Sequence, residues 1–307
     1  MPDANSHRPR PSSSSSSSSS NAVLGTTEDE DEGRGRGRGK SSGSYSDAPF
    51  LLCLGLIGGV YILLIVAMLV ADASFTSPKH LWQAFQSREI RYSIRLSLLS
   101  CSLTALLSVW VAVPIGYLMS RYQFRGKTFL DAILDIPIVL PPLVVGLSLL
   151  ILFQSPIGKA IEKVVPVTYE IPSVILAQFS VACAFAVRTM RATFEQINPR
   201  QEQVALTLGC RRSQAFWMVV FPEARRGMLT AITLAWARSL GEFGPILIFS
   251  GATRMRTEVL PTSVFLELSV GNIEAAVAVS LLMVIVAVLV LVVIRVYGVE
   301  KTLGRPL

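Results

Sequence analysis

Histidine occurs only twice in this chain of 307 residues, at His7 and His80, and cysteine four times, at Cys53, Cys101, Cys183 and Cys210. The histidines are far apart and share no ligand spacing with the cysteines, so no metal centre is expected. Three of the cysteines fall inside apolar runs, which argues against a disulfide framework. No nucleophile stands in a pattern with a base and an orienting residue, so neither catalysis nor a cofactor of its own is expected of this chain. Charge is scarce too: Asp, Glu, Lys and Arg make up 16% of the residues and apolar types 51%, more hydrophobic than a water-soluble domain of this length.

What is abundant is apolar sequence gathered into blocks. Residues 50–71 carry no charge and residues 273–294 carry only Glu274. At about 1.5 Å per residue each block can cross a hydrocarbon core of about 30 Å. Four further blocks, 96–119, 132–153, 172–187 and 228–250, bring the expectation to six transmembrane helices; the third is interrupted by Pro137, Pro141 and Pro142, and the fourth is short.

Positively charged flanks stay on the cytoplasmic side. Arg121, Arg125 and Lys127 follow the second block, Arg188, Arg191, Arg200, Arg211, Arg212, Arg225 and Arg226 the fourth, and Arg295, Lys301 and Arg305 the sixth. These belong inside, with both termini; the remaining loops carry fewer, Lys159 and Lys163, then Arg254 and Arg256. Lys79, Arg88, Arg91 and Arg95 run against the pattern and are read as an interfacial helix on the outer surface, its arginines reaching headgroups. The expectation is an all-α, multi-pass membrane protein. It has a disordered tail over 1–49, a transmembrane domain over 50–298 with a long inner loop at 188–227, and a short cytoplasmic tail over 299–307.

Residues 1–49 hold a serine run at 12–20, an acidic run at 28–32 and an Arg-Gly alternation at 33–40. Such sequence cannot bury enough apolar surface to offset chain entropy. It is not a cleavable signal either, because no apolar core occurs before Phe50 and that core is long enough to stay in the membrane. The alternation admits a nucleic-acid reading, but the acidic neighbour would repel phosphate and Tyr45 is the only interleaved aromatic, so no nucleic-acid partner is expected. Residues 34–41 nearly spell the phosphate-binding loop G-x-x-x-x-G-K-S; Arg34 stands in place of its first glycine, and no strand precedes it or helix follows.

In the inner loop, Asn198 can cap a helix whose first residue is Pro199, with Gln201 placed to reach back to the cap. That helix should run to Leu208, with Gly209 supplying a left-handed turn, and Ser213 should cap a second helix stopping at Pro222. Val204, Ala205, Leu208, Phe216, Trp217 and Val220 would give the two an apolar face for another protein's groove. A plain surface loop and a DNA-binding helix-turn-helix are the rival readings; the loop's length weighs against the first, and tethering at the bilayer against the second.

The segment Glu202-Gln-Val-Ala-Leu-Thr-Leu-Gly209, followed by Val219-Val-Phe-Pro222, resembles the coupling loop of ATP-binding-cassette importer permeases. In that pattern Val204, Val219 and Phe221 replace Ala, Ile and Leu. Residues 136–146 and 237–244 resemble the third and fifth spans of permeases for molybdate, tungstate and sulfate, with Pro245 and Ile246 where relatives often have Ala and Thr. The resemblance implies a type I importer permease of a bacterial cytoplasmic (inner) membrane. Its 195–222 loop would meet an ATPase subunit through Glu202, Gln203, Ala205, Gly209 and Pro222. The chain would work as a homodimer with an ATPase dimer and a periplasmic or extracellular solute-binding protein, ATP hydrolysis lying on the separate chain. Molybdate or tungstate is the first substrate expectation and sulfate the second.

Pathway or gating candidates are Pro137, Pro141, Pro142, Arg238, Gly241, Glu242 and Gly244, with plain helix packing as the alternative for each. Prolines in a span free carbonyls that must face protein or water. Arg238 and Glu242, four apart, share a helix face and neutralise each other at a depth where charge is costly. Arg254 and Arg256 fall in a segment that resembles the one meeting the binding protein, the alternative being a solvated face. A membrane-embedded enzyme would need paired catalytic groups at one depth, which only Arg238 and Glu242 supply; an anchored scaffold would rely on the tail.

Overall fold

The computed structural model describes residues 48–303, so the expectations for the serine, acidic and Arg-Gly runs lie outside the described residues. Contacts divide the chain into Met1–Gly55 and Leu56–Leu307. Every regular element among the described residues is a helix: α1 Ala48–Phe75, α2 Pro78–Gln86, α3 Arg88–Arg121, α4 Lys127–Val139, α5 Pro142–Gln154, α6 Pro156–Glu162 and α7 Ile171–Gln196. Then follow α8 Pro199–Thr207, α9 Arg212–Ala215, a π-helical turn Phe216–Val220, α10 Phe221–Glu223, α11 Arg225–Leu240, α12 Gly244–Phe249, α13 Leu260–Ser269 and α14 Ile273–Leu303.

Four helices, Phe50–Phe75, Arg88–Arg121, Ile171–Gln196 and Ile273–Ile294, are long and apolar enough to cross a membrane, and α4 with α5 makes a fifth candidate if the pair is one span. The other expected spans are divided. Residues 132–153 bend by 111° between α4 and α5. Pro141 forces Leu140 into extended backbone, and neither Pro141 nor Pro142 has an N–H to continue the ladder. Residues 228–250 separate into α11 and α12 at Gly241, with Pro245 restarting the second piece.

Other boundaries move for reasons of pairing. Arg88, Arg91 and Arg95 are not on a separate interfacial helix; they form the opening turns of the 34-residue α3, capped by Ser87, which accepts a bond from Ile90 N. Likewise α7 does not stop at 187 but runs through Arg188 and Arg191 to Gln196. Those two arginines stay helical because Arg188 meets Asp135 (2.6 Å) and Arg191 meets both Asp131 and Glu195, which straps α4 to α7. At the other end α14 continues through 299–303, where a tail was expected.

The core is α3 packed on α7 and α11, and small residues make the approach possible. A Cβ on Gly116 would sit 2.9 Å from the Arg191 N and Met190 Cβ, and Ala105, Ala112, Ala182, Ala186, Ala231 and Ala235 are buried along the same seams. A polar stripe on α3, Ser93, Ser97, Ser100, Thr104 and Ser108, is buried within this packing. Gln178 of α7 joins all three helices: its Oε1 accepts from Thr104 Oγ1, while its amide donates to the Ser239 carbonyl in the last turn of α11. A second apolar cluster, including Phe153, Val174, Ile246 and Phe249, seats α12 against α5 and α7.

Candidate functional site

The loop between α7 and α11 is built largely as its residues require. Asn198 accepts a bond from Arg200 N at 3.0 Å, although no return bond from Gln201 to the cap accompanies it among the described residues. Gly209 adopts φ +93, and the bonds Gly209 N to Leu206 O and Cys210 N to Ala205 O close α8 in a Schellman turn. The second helix departs from expectation. Arg211, not Ser213, is its cap residue, with its N–H bonded to Gln214 Oε1, and Pro222 does not end it. The π turn 216–220 widens the helix just before Pro222, so the missing donor and the ring are accommodated and the helix carries on into α10.

The apolar face splits in two. Ala205, Ala215 and Val220 are buried, while Val204, Leu208 (79% exposed), Trp217 (61%) and Met218 face outward, as does the polar Gln203. Glu202 is turned away from this outer face. Its carboxylate accepts a 2.5 Å bond from the Tyr117 hydroxyl and pairs with Arg121 Nε at 3.4 Å, both at the end of α3. Arg121 also donates to the Ile197 carbonyl, and Tyr117 packs edge-on against Phe194 and Phe216. Behind α8 the chain leaves a cavity of about 850 Å³, lined by Thr193, Asn198, Gln201, Glu223 and Arg226 among others, so α8 is braced on the α3 side and free on the other.

Within the membrane-embedded part, both helix breaks meet. A Cβ on Gly244 would lie 2.9 Å from Pro142 Cβ, and one on Gly146 would lie 2.7 Å from Pro245 Cα, so the start of α5 and the start of α12 are in contact. Pro137, by contrast, sits inside α4 without breaking it. Gly241 caps α11, and Glu242, buried beside it, lies 2.6 Å from Arg238 Nη1.

Residues 112–299 match the family of binding-protein-dependent transport system inner membrane components. The chain belongs to this family. It is 31% identical over 222 residues to the sulfate transport system permease protein CysT of Escherichia coli, covering 71% of this chain and 80% of that one. It is 32% identical over 243 residues to the molybdenum transport system permease protein ModB of Mycobacterium bovis, covering 78% and 90%. A bacterial alginate ABC transporter, solved in complex with an alginate pentasaccharide-bound periplasmic protein, contains a chain of the same fold, with TM-score 0.67, 17% identity, and 84% and 96% covered. This chain is accordingly a multi-pass membrane component of a transport system.

In this transport component Arg254 and Arg256 are exposed but already partnered, Arg254 with Glu267 at 2.8 Å and Arg256 with Glu170. Arg256 holds the Glu170 carboxyl below the usual carboxylate range, chiefly by hydrogen bonding, and Glu170 raises the guanidinium in turn. Nearby lies a group that sequence reasoning missed. Glu258 is buried, with the Ser263 hydroxyl 2.9 Å from its Oε1 and itself 2.8 Å from Ser93 Oγ, while its Oε2 has no hydrogen-bond partner. Burial pushes this carboxyl up, against the hydrogen bond from Ser263 and the charge of Arg254. The one available signal was the spacing of Ser93, Ser97, Ser100 and Thr104 on a single helical face, which marks a polar seam needing partners.

Proposed function

We propose that this chain is the membrane-spanning subunit of an ATP-driven importer for a tetrahedral oxyanion, molybdate or tungstate first, coupled to a separate ATPase through the loop between α7 and α11. Family membership together with the form of that loop carries the reading: a capped helix, a left-handed Gly209, and outward Val204, Leu208, Trp217 and Met218 form a protrusion with apolar residues that another protein can cover. Glu202 has a different part from Gln203 and Leu208. It fastens the protrusion to α3, so that a push on the loop is delivered to the core helix. The cavity behind α8 leaves room for that displacement.

Relatives named for molybdenum transport support molybdate, and the CysT relative supports sulfate as the second reading. A solute-binding protein, a second copy of this chain, an ATPase dimer and cytoplasmic termini complete the assembly we infer. The deciding experiment is uptake of molybdate, tungstate and sulfate into membrane vesicles holding the chain with its ATPase, supplied with binding protein and ATP. ATP-dependent uptake of one anion, lost in Gly209→Asp, is the expected result; no uptake of any oxyanion by an assembled, ATP-hydrolysing complex refutes the substrate class.

A further inference from the structure

Packing alone does not explain the guanidinium of Arg238. Its side chain is 30% exposed while its partner Glu242 is 1% exposed. Nη1 and the carboxylate Oε2 approach to 2.6 Å but out of hydrogen-bond alignment. The Phe185 ring covers one side, with Cζ 5.7 Å from its centroid. Among the described residues Nε and Nη2 meet no acceptor, so most of a five-donor fork suited to planar or tetrahedral oxyanions stays unused.

Arg238 lies about 20 Å along α11 from Arg225, well inside the bilayer if the helix starts near its surface. A partly exposed guanidinium at such depth cannot face lipid; intramembrane charges face a bundle interior or a watery path. The backbone agrees. The α-helix is interrupted over residues 241–243 at the same level and Gly241 is exposed, although Gly241 N and Glu242 N still reach the Ala237 and Ser239 carbonyls; such an interruption is tolerated only against protein or water.

We propose that Arg238 is a transit subsite for a tetrahedral oxyanion, which takes the place of Glu242 as counter-charge to the guanidinium while passing the break between α11 and α12; this rests on the oxyanion reading above. Between passages Glu242 keeps the arginine from being an unpaired charge. One arginine shared with a competing carboxylate binds an anion strongly enough to draw it in and weakly enough to release it, as conduction requires. No bond is made or broken.

The test uses the complete complex with its ATPase and binding protein in proteoliposomes, with radiolabelled molybdate and sulfate as probes. In Arg238→Gln the anion taken up per ATP hydrolysed should fall about ten-fold or more, the loss of a charge-assisted contact. An unchanged ratio, whether both activities persist or both decline together, overturns the subsite and leaves the importer reading standing. Absence of uptake by a wild-type complex that hydrolyses ATP overturns the importer reading itself. Should Arg238→Gln fail to assemble, Glu242→Gln decides, since it keeps the shape and removes the competitor. Equilibrium dialysis of that complex without binding protein should then show molybdate held several-fold more tightly than by wild type; equal or weaker binding overturns the proposal.

Discussion

The carboxylate of Glu202 is shared between a phenol and a guanidinium, and its two donors differ in what their loss leaves behind. Tyr117→Phe removes one hydrogen bond to a charge, about 1.5–3 kcal/mol at most, and Arg121 still holds the loop. Glu202→Ala leaves Arg121 nearly buried with only the Ile197 carbonyl, so it should lower the unfolding midpoint of the complex more than Tyr117→Phe does and speed amide exchange over 198–209. Gly209 tests conformation apart from space, because nothing lies within 4 Å of an added Cβ while φ is +93. Gly209→Val should therefore cost about 1–2 kcal/mol of strain and Gly209→Asn less, read as loss of ATP-driven uptake in that order.

Glu258 supplies a pH dependence with a definite sign. Its folded carboxyl is raised by burial, so the stabilisation it brings is fully present below its unfolded pKa and is lost as pH rises through the folded one. Glu258→Gln should flatten the fall in unfolding midpoint between mildly acidic and neutral pH; an unchanged slope would remove Glu258 as its source. Glu170 runs the other way, its contribution lost as pH falls through its depressed pKa, but its pair with Arg256 lies at the surface and counts for little.

Among elements, the contact between α5 and α12 is close, with Pro245 backbone against Gly146 and Pro142 against Gly244. Gly146→Val drives a branched side chain into Pro245 and should cost about 1–3 kcal/mol, seen as a lower yield of monodisperse complex, whereas Gly241→Ala, with no atom nearer than 3.9 Å, should be mild. These glycines show where sequence reading stops. Long apolar runs, Asn198 as a cap and Gly209 as a terminator were legible because each is a local property of the chain. The bend at Pro141 and Pro142 was legible as a break but not as a right-angled turn, since its size depends on what α5 packs against. Tyr117 and Arg121 sit 85 and 81 positions before Glu202, too far for any window to connect, and Asp131 and Asp135 lie 60 and 53 positions before the arginines they hold. For the same reason Arg188 and Arg191 looked like loop residues: their hydropathy is visible in sequence and their partners are not.

At the scale of the molecule, membership of the transport family fixes the class of machine, and the described residues show how the parts of one subunit are joined. Deleting residues 1–47 should leave uptake intact, because the part of the chain that matches the transport family begins only at residue 112; loss of uptake with assembly preserved would give the tail a transport role. The helix α3 reaches from one set of ties to another. Near its start Ser97 accepts from the Leu260 N–H and Ser93 meets Ser263, which hold the first turn of α13; near its end Tyr117 and Arg121 hold Glu202 of α8. From Ser97 to Tyr117 is about 30 Å of unbroken helix, the thickness of the hydrocarbon core. Pro114 lies within that stretch and removes one of its hydrogen bonds, so the member is a rod with a joint close to Tyr117; under the coupling proposed above, a push on Glu202 would reach Leu260 and Ser263 only as far as that joint carries it.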